Sequence, residues 1–256
     1  MGLWRIGETM RMGYLDFRVA NPWRVNAVTL WPRAVLQCLF FTVVGQALAG
    51  GERDFAFVGA TVLAIALSLS VGVASVLTTE KVSGTMFRTR LAGPVSMRLI
   101  AARAVPWVVE ALVMFVLATV CVGLVVDRMG LALSILRLLP VFALMALSNA
   151  AAGLALATIA VGRRAEVLYG NALTYLIIAA GGVVVPTTRL AWLDAIGAWL
   201  PLRNGLLAVR GILADRPWAM HLLAEVGVCL LWSLLAVGGL AYLDAKARRS
   251  GVDAFE

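Results

Sequence analysis

Six stretches of this chain are apolar for about 20 residues each. That length is the strongest constraint on the fold, because roughly 30 Å of hydrocarbon is crossed at about 1.5 Å per helical residue. The stretches lie at about 27–48, 55–78, 104–126, 138–161, 167–185 and 220–243. In lipid a spanning segment must satisfy its own backbone hydrogen bonds, so each stretch is predicted to be a helix. With 62% hydrophobic and 14% charged residues among 256, no polar stretch is long enough for a soluble catalytic domain beside the membrane part. The expectation is an all-α polytopic membrane protein with six transmembrane helices.

The ends of the chain are read from charge and periodicity. Over residues 3–19 an apolar stripe of Leu3, Ile6, Met10, Tyr14 and Phe17 recurs at helical steps, with Arg5, Glu8, Arg11, Asp16 and Arg18 around the rest. Residues 1–24 are therefore expected as an interfacial amphipathic helix broken by Pro22, with Trp23 and Trp31 at headgroup level. No cleavable signal peptide precedes the first span, which is expected to stay as a signal-anchor. Arg33, in its first turns, is read as snorkelling to the interface. Fourteen Lys and Arg fall on the side of the termini and seven on the other, so both termini are expected in the cytoplasm, with 244–256 as a short tail. The excess of arginine over lysine, with many Ala, Val and Gly, is a coding bias that points to a high-GC bacterial genome, and the expected location is the bacterial cytoplasmic membrane. The net charge of +8 is accounted for by loop cations flanking the spans, which sets nucleic acid aside as a partner.

Two segments interrupt the pattern. Residues 80–103 form a basic island with Lys81, Arg88, Arg90, Arg98 and Arg103 against Glu80. It either presents a surface to a partner or serves only to set topology. Residues 186–219 hold Trp192, Trp199 and many Leu between Pro186, Pro201 and a helical run from Leu206 to Leu213. Eleven apolar-rich residues cannot cross a bilayer, so this segment is expected as a helical hairpin dipping into the outer leaflet, packed on protein.

Little else carries chemistry. There is no G-x-x-x-x-G-K-[ST], so the chain by itself has no nucleotide site, and no cofactor is expected on it. Cys38, Cys121 and Cys229 lie in apolar runs without metal-ligand spacing, and His221 stands alone at the start of the last span. Glu110 and Glu225 sit within spans, where a carboxylate either pairs with an interfacial arginine such as Arg103 or handles substrate or protons. Ser68, Ser75 and Thr78 in the second span, and Asn171, Thr174 and Tyr175 in the fifth, either cement helix packing or line a path for an amphiphilic cargo. Gly72, Gly153, Gly181 and Gly182 suit close helix contacts.

The basic island contains Glu80-Lys81, Gly84-Thr85, Leu91 and Pro94-Val95-Ser96, and the hairpin contains Pro201 followed by Ala208-Val209-Arg210. With the amphipathic N-terminus and six spans, this order resembles the permease subunits of ABC-2 type exporters, including multidrug, daunorubicin and polysaccharide permeases. Met86-Phe87 depart from the charge that usually follows Gly-Thr in that family.

The resemblance implies a permease domain over 25–243 that pairs with a second permease, identical or a sister chain, and rests on a cytoplasmic ATPase dimer that binds ATP and magnesium. It makes the segment near 82–92 a coupling helix, so that Glu80, Gly84, Thr85, Met86, Phe87, Arg88, Arg90 and Leu91 would meet that ATPase. It also makes the second and fifth spans the cargo path, closed at the exit by the hairpin. The cargo is expected to be a small amphiphile, drug or antibiotic, moved outward. A proton-coupled carrier using Glu110 or Glu225 is the alternative, and a membrane-embedded transferase lacks its paired acidic motifs.

Overall fold

The computed structural model describes residues 3–48, 53–82, 95–160, 166–184, 186 and 190–250, and every regular element among them is a helix. In chain order these are α1 (Leu3–Ala20), α2 (Trp23–Val28), α3 (Leu30–Leu48), α4 (Arg53–Val82), α5 (Val95–Val125) and α6 (Met129–Arg137). They continue as α7 (Leu139–Ala160), α8 (Glu166–Ala180), α9 (Ala191–Gly197), α10 (Arg203–Leu213) and α11 (Ala219–Ser250). Four helical segments are long and apolar enough to cross a membrane: Trp23–Ala47, Ile100–Val125, Leu139–Ala160 and Ala219–Leu243. Asp54–Ser70 and Leu168–Ala180 are shorter apolar helical stretches, in the second and fifth of the expected spans.

The bundle is built around α4, which packs against α3, α5, α7 and α8. Phe57, Leu63, Ile65 and Leu69 of α4 are fully buried, so the helix is apolar nearly all round, as a central element must be. Stacked rings of Phe115 and Phe142, 4.2 Å apart, join α5 to α7. At one end, the starts of α4 and α11 and the ends of α5 and α8 gather around α9 and α10. We call this the hairpin end, and the opposite one, where α1 and α2 lie against α5, the N-terminal end.

Three local features depart from the expected boundaries. The first apolar stretch is broken at Thr29, because Pro32 has no N–H to donate to the carbonyl of Val28, leaving α2 and α3 as separate helices. A short helix, α6, occupies 129–137, where only a loop was expected; it buries Ala132 and Ile135 and holds the hairpin end of α5 through the neighbouring Arg128–Asp54 pair at 3.3 Å. α8 stops at Ala180, short of the expected 185, because Gly182 turns the chain at φ 67°. In α1, Phe17 is buried while Met10 and Tyr14 stay exposed, so only part of the apolar stripe faces protein.

The expected hairpin is present as α9 and α10, with Pro201 between them. Its turn is fixed by charge from both sides. Leu202 takes a left-handed conformation, φ 74°, which aims successive N–H groups at one point. There the Glu225 carboxylate of α11 accepts from the Leu202 N–H at 3.1 Å and from the Gly205 N–H at 3.0 Å. The Ser148 hydroxyl lies beside the same carboxylate without hydrogen-bond geometry. Glu225 is therefore the acceptor at the positive end of α10. At Gly205 a Cβ would meet the Met145 side chain, which would have to shift to admit it.

The other end of α10 carries the opposite charge. Arg210 donates to the carbonyls of Gly182 at 2.8 Å and Phe55 at 3.0 Å, with its guanidinium 3.4 Å from the centre of the Phe55 ring. It thereby closes the open carbonyls at the end of α8 and ties them to the start of α4. Arg203, itself buried, pairs with Asp194 of α9, and Asn204 donates to the Ala198 carbonyl at 3.0 Å.

Glu225→Ala leaves two buried N–H groups without an acceptor and is expected to cost about 2–4 kcal/mol. Glu225→Gln keeps one acceptor and should lie between it and the parent. Unfolding of the purified chain in mixed micelles measures both; an alanine variant as stable as the parent would refute the anchoring role.

Candidate functional site

Between α3, α4, α5 and α8 lies a cavity of about 490 Å³. Its apolar wall includes Leu67, Trp107 and Met114. Its polar groups are Ser68, Asn171 and Thr174, joined by Arg33, Gln37 and Asn21. Half of the six residues expected along a cargo path thus meet in one space. Thr174 is buried and spends its proton on the Gly170 carbonyl, 3.1 Å away, so its oxygen can still accept. The Ser68 hydroxyl is buried with no hydrogen-bond partner. Asn171 is exposed at the cavity rim, and Tyr175 is 68% exposed outside the lining. Ser75 and Thr78 belong to α4, but their side chains lie outside the described residues.

Local sequence explains the shape. Pro32 restarts the helix just before Arg33, which places Arg33, Ala34 and Gln37 on the same wall at steps of one and four residues. Gly72 leaves room for the Trp107 ring, whose other side meets Phe17 of α1 edge-on at 4.8 Å. The expected cargo path omits Arg33 and Gln37. Their signal is nonetheless present, since two polar side chains four residues apart inside an apolar run share a helix face.

The two intramembrane carboxylates do not share this space, and each has its own set of donors. Glu225 holds α10 as described. Glu110 accepts from the Trp31 indole N–H at 2.8 Å and from the Asn26 amide at 3.3 Å, both on the same oxygen. This corrects the expected pairing with Arg103, which instead reaches Asp16 of α1 at 4.0 Å. Asn26 is buried, so Glu110 ties the α2–α3 junction to α5. His221 is exposed and lines a second crevice at the hairpin end with Arg210, Arg216 and Asp54.

Of the coupling residues, Gly84, Thr85, Met86, Phe87, Arg88, Arg90 and Leu91 lie outside the described residues, and Glu80 is described only as backbone in the last turn of α4.

Glu110→Gln retains an acceptor oxygen and is expected to be mild, whereas Glu110→Leu removes the acceptor for both Asn26 and Trp31. Hydrogen exchange of residues 23–31 should rise several-fold in the leucine variant and little in the glutamine variant. Equal protection in both would show that other contacts hold the junction.

Comparison with known proteins gives one family. The model of the ABC-2 type transporter family matches residues 15–214, a stretch that includes α2 to α10 and the whole cavity lining. No curated protein matches the chain, and neither does any solved structure. A match over most of the length, on an all-helical chain with several membrane-capable helices, makes this protein a multi-pass membrane permease of the ABC-2 type transporter family.

Proposed function

We propose that the chain is the membrane-spanning subunit of an ATP-driven exporter, with six spans, working as a pair of permeases on a separate cytoplasmic ATPase dimer. The cavity carries this reading. A space of about 490 Å³ with an apolar wall and a few convergent polar groups has the size and character of a site for a small amphiphile. Its contributors include the second and fifth of the apolar segments, where the resemblance puts the cargo path. A drug or antibiotic fits such a space better than a bulky polymer does.

The exposed rim of the cavity favours pairing. Asn171 and Tyr175 lie on an exposed face of an otherwise apolar helix, a poor surface to offer to lipid. A second permease against α8 would cover them and close the cargo space. The hairpin, tied to α4, α8 and α11 by Glu225 and Arg210, is suited to form the exit barrier. ATP binding and hydrolysis on the partner would bias two states of the permease pair that differ in cargo affinity.

The basic 80–103 segment is the proposed ATPase contact, with Met86, Phe87 and Leu91 as its apolar face and Arg88 and Arg90 beside it. With the positive side of the charge count inward, both termini and this segment lie in the cytoplasm of a bacterial cell. Both intramembrane carboxylates accept from fixed protein donors, which supports structural roles for them over a proton-coupled carrier.

Purification of the tagged chain from its host in mild detergent tests the reading. The parent chain is expected to bring down a soluble Walker-type ATPase, and Phe87→Asp to lose it by tenfold or more while eluting as a monodisperse protein. A well-folded parent that repeatedly comes out alone would overturn the proposal.

A further inference from the structure

The cavity lining contains one formal charge. Arg33 is the sole ionisable residue of the lining, and among the described residues it has no carboxylate partner. Glu110, at the same junction, instead accepts from the Trp31 indole N–H and the Asn26 amide. Arg33 lies within the Trp23–Ala47 segment, which is long and apolar enough to cross a membrane, and it is exposed rather than packed into the bundle. A guanidinium within such a segment is costly unless an anion or a wet cavity meets it.

The surroundings of Arg33 are those of an anion site with an apolar extension. Gln37 lies one turn further along α3, and Asn171 on α8 shares the lining, so neutral hydrogen-bond donors flank the guanidinium. Ser68 also lines the space, its hydroxyl buried in the wall without a hydrogen-bond partner. Leu67, Trp107 and Met114 form the apolar part of the same space. A guanidinium offers two parallel N–H groups that match the oxygens of a carboxylate or phosphate.

We propose that the cavity selects amphiphiles with an acidic headgroup, the acid pairing with Arg33 and the apolar body lying along Trp107 and Met114. The inference rests on the permease reading and narrows its cargo. Both a free amphiphilic acid and an anionic lipid carry this chemistry.

The test uses the full chain in phosphatidylcholine nanodiscs, with dansylaminoundecanoic acid and its methyl ester as fluorescent probes. Wild type is expected to bind the acid at least tenfold more tightly than the ester. Arg33→Gln should abolish that preference while leaving ester binding in place, which also reports an intact fold, and Arg33→Lys should keep most of it. Asn171→Trp, which fills the rim, should weaken both probes. Addition of phosphatidylglycerol separates the sources: displacement of the acid probe identifies an anionic lipid as occupant, and no displacement a free acid. Equal binding of acid and ester by wild type, survival of the preference in Arg33→Gln, or no binding of either probe overturns the inference. Recovery of the ATPase with the same preparation would leave the permease reading standing in each of those cases.

Discussion

Buried backbone at a break in a membrane helix has to find partners, and in this chain one carboxylate meets most of that demand. Glu225 accepts the first N–H groups of α10 at the point where the chain reverses through a left-handed leucine. Arg210 does the converse for carbonyls left open beyond the end of α8. An acceptor meets the N–H end of α10 and a cation meets the carbonyls beyond α8, so the hydrogen bonding favours one orientation of the hairpin and opposes its reversal. The consequence is structural continuity. α4, α7, α8 and α11 all touch the hairpin, and its geometry fixes how far apart their ends can be.

The N-terminal end follows the same logic with weaker pieces. Glu110 and Asp16 lie at the two levels where α1 and α2 meet α5, each met by donors from the facing segment. Once these acids are assigned, the polar groups within the bundle fall into two kinds. Some fasten helices to each other, and a smaller set faces empty space. The second kind is concentrated around Arg33, which is why the cavity stands out from the packing rather than blending into it.

Much of this architecture is legible in the order of the amino acids. The apolar lengths place most helix ends within a few residues, although α5 starts at Val95 and α11 runs on to Ser250, beyond the apolar runs, and Pro22 and Pro201 mark real breaks. The hairpin follows from a run too short to cross and too rich in Trp and Leu to float. What escapes has a common cause. The anchoring of Glu225 depends on a left-handed Leu202, a conformation that sequence does not advertise for a branched side chain. Glu110 invites a charged partner when its donors are a tryptophan and an asparagine, because neutral donors leave no mark in a charge count. α6 is easily missed although Met129, Ala132 and Ile135 recur at helical spacing, since nine residues between two long spans look like a connection. The cavity itself is half visible: Ser68, Asn171 and Thr174 stand out as polar groups within spans, while Arg33 looks as though it belongs to the interface.

The break at Thr29 gives the first membrane segment an unusual mechanical character. Its lower piece, α2, is clamped to α5 through Asn26, and Trp31 extends the clamp just past the joint. The upper piece, α3, contributes Arg33, Ala34 and Gln37 to the cavity wall and shows lipid or a neighbour the exposed side chains of Leu36, Phe40 and Val43. Glu110 therefore holds both sides of the joint at once, Asn26 below it and Trp31 above. Because Arg33 follows Trp31 by two residues, the angle of the joint and the placement of the guanidinium are set by the same carboxylate.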